Sequence, residues 1–68
     1  MKVTREIIKE NYKIIEYYFY SNLTNEKINC YILKKKTKNG VFREIKRGNL
    51  GNITLEEQLE FELQEAKE

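Results

Sequence analysis

Asn39-Gly40 lies between two strand-like runs in the segment Lys34–Arg47, KKKTKNGVFREIKR. An Asn-Gly pair in that setting is the strongest short-range hairpin signal, because a two-residue type I′ turn needs positive φ at both positions and these residues tolerate it. The turn predicts a register: Lys38 opposite Val41, Thr37 opposite Phe42, Lys36 opposite Arg43, Lys35 opposite Glu44 and Lys34 opposite Ile45. Successive pairs alternate between the two faces of the sheet. One face is expected to hold Lys34, Lys36, Lys38, Arg43 and Arg47 with Val41 and Ile45. The other holds Tyr31, Leu33, Thr37 and Phe42 with the opposite-charge pair Lys35 and Glu44. Like charges opposed across a ladder cost roughly 0.2–1 kcal/mol. Lys36 opposite Arg43 therefore points to an anionic partner, unless both side chains splay into water, where exposed charges matter little.

The strand entering this hairpin is expected over 27–38, with Ile28, Cys30 and Ile32 on one face and Tyr31 and Leu33 on the other. Ser21 to Lys27, SNLTNEK, is a polar connection of hairpin length. Before it, YKIIEYYFY carries dense β-branched and aromatic residues and predicts a strand over 13–21. Residues 3–10 are divided between two readings: Val3, Ile7, Ile8, Tyr12, Ile15 and Phe19 recur at helical steps, while the β-branched density favours a short strand. After the hairpin strand 41–47, the turn formers Gly48-Asn49-Leu50-Gly51-Asn52 are expected to end the sheet.

Thr54-Leu55-Glu56-Glu57 is a capping box and opens a helix over 54–66. Its body, LEEQLEFELQEAKE, is built from strong helix formers, with Leu55, Leu59, Leu63 and Ala66 as one apolar stripe. Phe61 falls roughly 120° or more from that stripe, among Glu57, Gln58 and Glu65. The fold class is therefore α+β: an antiparallel meander of three to four strands over about 3–47, packed by one C-terminal α-helix. At 68 residues the chain is one domain near the lower limit for folding on its own core, so self-association would help it.

The chain contains no His, Asp, Trp or Pro and one Cys. Triads that need an imidazole base are excluded, and the usual zinc ligands are lacking. Neither a catalytic site, a metal site nor a cofactor is expected. Cys30 cannot form an intramolecular disulfide and is expected buried in a strand. With no apolar leader core and no long apolar run, a cytoplasmic location and no membrane association are expected. Lys, Ile, Asn, Tyr and Phe supply 33 of the 68 residues, a bias of AT-rich coding that points to a bacterium, a phage or a mobile element.

Charge is unevenly spread. Residues 34–47 carry seven cations and one Glu, whereas residues 53–68 carry one cation and six Glu. Three function classes follow. The first is a small non-enzymatic modulator or inhibitor that acts by surface contact on a host protein or protein–nucleic-acid complex, a nucleic-acid-processing or CRISPR machine for example. There the acidic helix, through Glu56, Glu57, Glu60, Phe61, Glu62 and Glu65, would compete for a surface that holds phosphates. The second is a direct nucleic-acid binder using Lys34, Lys35, Lys36, Lys38, Arg43, Lys46 and Arg47. The third is a structural homo-oligomer. Tyr12, Tyr17, Tyr18, Tyr20 and Tyr31 with Phe19 are expected to serve as a stacking platform, an interface anchor or plain core. The ribbon-helix-helix order of one strand and two helices does not fit, and the aromatic motifs of the RNA-recognition sheet are not present in order.

Overall fold

The computed structural model describes residues 1–67. Strands β1 (Lys2–Lys9), β2 (Tyr12–Tyr20), β3 (Lys27–Lys36) and β4 (Phe42–Asn49) form an antiparallel sheet in the order β1-β2-β3-β4, and helix α1 (Leu55–Ala66) follows. The predicted α+β meander with a C-terminal helix is the architecture of the molecule.

Of residues 3–10, all but Glu10 are strand, in β1. Ile7 pairs with Ile14 and Lys9 with Tyr12, so period-two alternation sends Ile7 under the helix and leaves Val3 and Ile8 exposed on the opposite face. The β1–β2 turn is Glu10-Asn11, with Glu10 at φ 58°. Nothing in its sequence announces this, because the left-handed residue is not a glycine. The next hairpin loop is the expected polar connection. Its Ser21 hydroxyl accepts the amides of Leu23 and Thr24, and the Ser21 amide donates to the Glu26 carbonyl.

The main core joins Ile14, Tyr31 and Leu33 of the sheet to Leu55, Leu59 and Leu63 of α1, with Leu50 closing the end. Each buried Leu or Ile contributes ~1.5–3 kcal/mol. The capping box forms as predicted: the Glu57 amide donates to the Thr54 hydroxyl at 3.1 Å and the Thr54 amide to Glu57 at 2.9 Å. The stripe needs one correction. Ala66 is exposed, and Gln58 and Glu62 are buried beside the leucines. They are accommodated because they satisfy each other: Gln58 Nε2 donates to Glu62 Oε2 at 2.7 Å, and the Tyr31 hydroxyl reaches the same oxygen at 3.5 Å.

Tyr17, Cys30 and Ile32 form a second apolar cluster on the face turned away from α1, flanked by Ile15 and Ile28. Cys30 is buried there, as expected, and its Sγ donates to Asn49 Oδ1 at 3.3 Å. Those neighbours are the cluster's cover, since α1 lies across the other face.

The hairpin departs from its predicted register at the tip. Thr37, not Lys38, closes the turn: its amide donates to the Val41 carbonyl at 2.8 Å, and the Gly40 amide donates back to Thr37 O at 3.0 Å. Gly40 alone is left-handed, at φ 82°, as in a three-residue loop ending in a bulge-forming glycine rather than a type I′ turn. Lys36 therefore faces Phe42, Lys35 faces Arg43 and Lys34 faces Glu44. A bulge at Ile45 then absorbs one residue, and Leu33 meets Lys46 as the two-residue turn would have required. The pairing continues through Gly48 and Asn49, which belong to β4 and not to a loop. Gly48 has a reason to be there. A Cβ at this position would stand 3.3 Å from the Tyr31 ring, so its absence lets that buried ring lie across the strand.

Candidate functional site

Two charged surfaces were expected, and the fold treats them differently. On α1, Glu56 pairs with Arg5 in a two-bond arrangement and Glu60 takes Lys9 Nζ at 2.5 Å. Arg5 and Lys9 stand four apart on a strand and Glu56 and Glu60 four apart on a helix, so each pair shares one face and the two elements match. These bonds hold both carboxyls below their usual range, and they raise the partner cations. Glu57 is occupied by the Thr54 amide, which lowers its carboxyl too. Glu62 is buried and receives Lys46 Nζ at 3.0 Å, a bond that raises the Lys46 ammonium, and Glu65 lies 3.9 Å from the same nitrogen. Of the acidic set, Glu62 alone is turned inward, and Phe61 keeps the expected outward position. It is 55% exposed, with Lys46 Nζ 5.8 Å from its ring centroid. Gln58, expected in the polar surround of Phe61, is in the core instead.

The basic hairpin is the reverse case. Lys46 turns to Glu62, and Arg47 to Glu44 through two hydrogen bonds that raise the guanidinium and lower the carboxyl. Lys34, Lys35, Lys36, Lys38 and Arg43 have no ion-pair partner within 4.0 Å among the described residues. Because the tip slips by one residue, Arg43 leaves the face predicted for it, while Lys34, Lys36 and Arg47 still share it. Lys34 and Lys36 project from the open side with Phe42, Glu44 and Arg47, while Lys35, Arg43 and Lys46 lie on the helix side and Lys38 sits in the turn. The like-charge pair across the ladder is Lys35 opposite Arg43, not Lys36 opposite Arg43.

A residue that sequence reasoning missed completes this end of the sheet. Lys13 of β2 lies directly opposite Lys34, a second like-charge pair, and its Nζ is 5.2 Å from the Phe42 centroid, with Lys36 Nζ at 5.4 Å from the same ring. Only the β2–β3 pairing brings it in, and no local pattern marks it. The result is an aromatic ring among Lys13, Lys34 and Lys36, with Lys35, Lys38 and Arg43 around the same tip.

The aromatic residues do not form one platform. Tyr31 and Tyr17 are buried, and burial is the main reason both phenols are pushed up. Tyr12 is partly buried at the edge of the main core, where Lys35 Nζ stands 5.6 Å from its ring. Tyr18 and Tyr20 meet edge to face at 5.8 Å on the helix side, with Lys27 Nζ 4.5 Å from Tyr18. Phe19 projects from the open face near Tyr17.

Among the described residues no cluster of three metal-ligating side chains occurs and no pocket opens, and no helix is long and apolar enough to cross a membrane. The chemistry available at the basic tip is charge, hydrogen-bond donation and ring contact. No family model matches this chain, and neither a curated protein nor a solved structure matches it.

Proposed function

We propose that the protein is a non-enzymatic binding module that holds nucleic acid by its phosphates through the basic tip. The observation that carries this reading is the contrast between the two charged surfaces. The helix carboxylates are engaged with Arg5, Lys9, Lys46 and the Thr54 cap, whereas Lys34, Lys35, Lys36, Lys38 and Arg43 have no ion-pair partner within 4.0 Å among the described residues and are joined by Lys13. Engaged carboxylates offer little to a surface that expects phosphates. Cations on a narrow projecting hairpin suit a charged backbone, and two like-charge pairs across the ladder are relieved when an anion sits between them. Phe42 adds a ring on which an unstacked base can rest.

Counterion release gives the test. Contacts to about five phosphates predict a log–log salt slope of roughly −4.5 on duplex and −3.5 on single strands. Fluorescence polarisation with labelled single-stranded and duplex oligonucleotides across a salt series measures it. Lys34→Glu with Lys36→Glu is expected to abolish the binding. Failure to bind either form at low ionic strength removes the proposal.

A second reading, a modulator or inhibitor of a host protein or protein–nucleic-acid complex, is favoured by Phe61. It is an exposed aromatic on α1 with polar neighbours around it, the usual arrangement of an interface anchor. Recovery of a specific host protein by the wild type, and not by Phe61→Ala, is the outcome this reading requires.

A further inference from the structure

The face of the sheet turned away from α1 is graded from apolar to basic, and the strand register shows how. Phe19 and Ile28 face each other at one end, and Val3, Tyr17, Cys30 and Asn49 cross the sheet next. Glu6, Ile15, Ile32 and Arg47 come after them. Beyond these come Ile8, Lys13, Lys34 and Glu44 and then Lys36 and Phe42, so three cations enter the face together with one carboxylate and the exposed Ile8. In the apolar half Phe19 is 39% and Val3 54% exposed, and Ile15 and Ile28 are only partly covered. Sheets bury such faces against another layer, and this chain supplies one layer, α1, which lies on the other side.

We infer that this apolar half is the interface of a homodimer, in which two copies stack sheet on sheet. Three observations select a second copy. The surface is mutually complementary, apolar against apolar, as an isologous contact requires. Pairing edge to edge is opposed at both margins, since β1 and β4 each carry a bulge and a row of charged side chains. The charges also choose the symmetry axis. An axis parallel to the strands would set Lys13, Lys34 and Lys36 over their own copies. An axis across the strands, over the line of Val3 and Tyr17, stacks Phe19 and Ile28 on Ile15 and Ile32 and sends the two basic tips to opposite ends. With ~4.8 Å between strands and ~6.8 Å per residue pair along them, the apolar half is roughly 20 Å square, on the order of 400 Å² per copy. This falls short of the roughly 800 Å² per partner of a standard stable interface, so the dimer is weak and depends on concentration.

Sedimentation equilibrium of the full chain from about 10 µM to 1 mM, the range of a weak contact, is expected to show the average mass rising from one chain toward two. Phe19→Lys and Val3→Lys each hold the protein monomeric across that range with an unchanged circular dichroism spectrum. Ile53→Lys, an exposed apolar residue outside the sheet, leaves the association as it was. A second measurement tests the axis. In a Cys30→Ser background, Val3→Cys gives a disulfide-linked dimer under mild oxidation and Lys36→Cys does not. A wild type that stays monomeric at 1 mM overturns the inference. So does a dimer unaffected by both Lys substitutions, or one that cross-links through position 36 and not position 3.

Discussion

Glu62 is a carboxylate in the core of a very small protein, and replacing it separates two accounts of the packing under α1. It is 6% exposed and holds Gln58 Nε2 at 2.7 Å, Lys46 Nζ at 3.0 Å and the Tyr31 hydroxyl at 3.5 Å. Glu62→Leu leaves two buried groups, the Gln58 amide and the Tyr31 hydroxyl, without this acceptor. Each costs ~1–3 kcal/mol when left unsatisfied, and burying the new leucine returns ~1.5–3 kcal/mol. At the middle of each range two orphans cost ~4 kcal/mol and the leucine returns ~2 kcal/mol, a net expected loss of ~2 kcal/mol out of a total near ~3–10 kcal/mol for a chain of this size. Replacing the whole network at once, with Gln58→Leu, Glu62→Leu and Tyr31→Phe, removes the orphans as well, and its stability is expected within ~1 kcal/mol of wild type. Lys46 sits at the rim, 43% exposed, and turns to water. Urea unfolding followed by circular dichroism measures all of these. If Glu62→Leu is as stable as wild type, or if the triple variant loses more than the single, the carboxylate is not the hub described.

The turn geometry predicts that Gly40→Ala costs ~1–2 kcal/mol because φ is positive there, while Asn39→Ala costs less; comparable losses at both positions in thermal melts would restore a type I′ turn. Thr54→Ala is expected to lower stability by ~1 kcal/mol through loss of the cap, read from the same melts. Phe61→Ala is expected to change stability by less than ~1 kcal/mol, as for an exposed side chain, and to weaken partner binding by ~1–3 kcal/mol; a loss of ~3–5 kcal/mol in stability would mean a buried ring. The depressed Glu56 and Glu60 carboxyls contribute stability that is present above the ordinary carboxylate range, near about pH 4.3, and is lost as pH falls through their folded-state values. Urea midpoints measured between about pH 6 and pH 2 should therefore fall less in the Arg5→Gln, Lys9→Gln variant than in wild type, and an equal fall would show that these pairs do not matter in solution.

Elements whose signal lies within a few residues could be read from the sequence, and features that depend on pairing could not. The capping box, the leucine stripe at 55, 59 and 63 and the outward Phe61 follow from local chemistry and the helical period, and all three are present. Leu50 was hidden among turn formers, although its amide is tied to Asn29 and its side chain closes the core. The roles of Lys13, Arg5 and Lys9 depend on partners far along the chain. Counting the helix carboxylates overstated their availability, because a charge run on α1 does not reveal that β1 and β4 supply the matching cations.

The loop of Lys38-Asn39-Gly40 and the bulge at Ile45 act together like a frameshift and its suppressor. The anchor pair Leu33 and Lys46 is the same whether residues 34–45 fold as they do here or as a two-residue Asn39-Gly40 turn with no bulge. A second threading between the same fixed ends is thus compatible with the pairing of the rest of the sheet, at the loss of the Glu44–Arg47 ion pair and of the Lys13 and Lys36 contacts with Phe42. Changing from one to the other would turn Phe42 and Glu44 toward the helix side and bring Arg43 and Ile45 out to the open side. Such an exchange would alter the chemistry of the projecting tip without moving a residue of the core. Nuclear Overhauser contacts distinguish the two forms, since Phe42 faces Lys36 in the form described and would face Thr37 in the other; a single set of contacts under all conditions, with and without an anionic ligand, would show that one threading alone is populated.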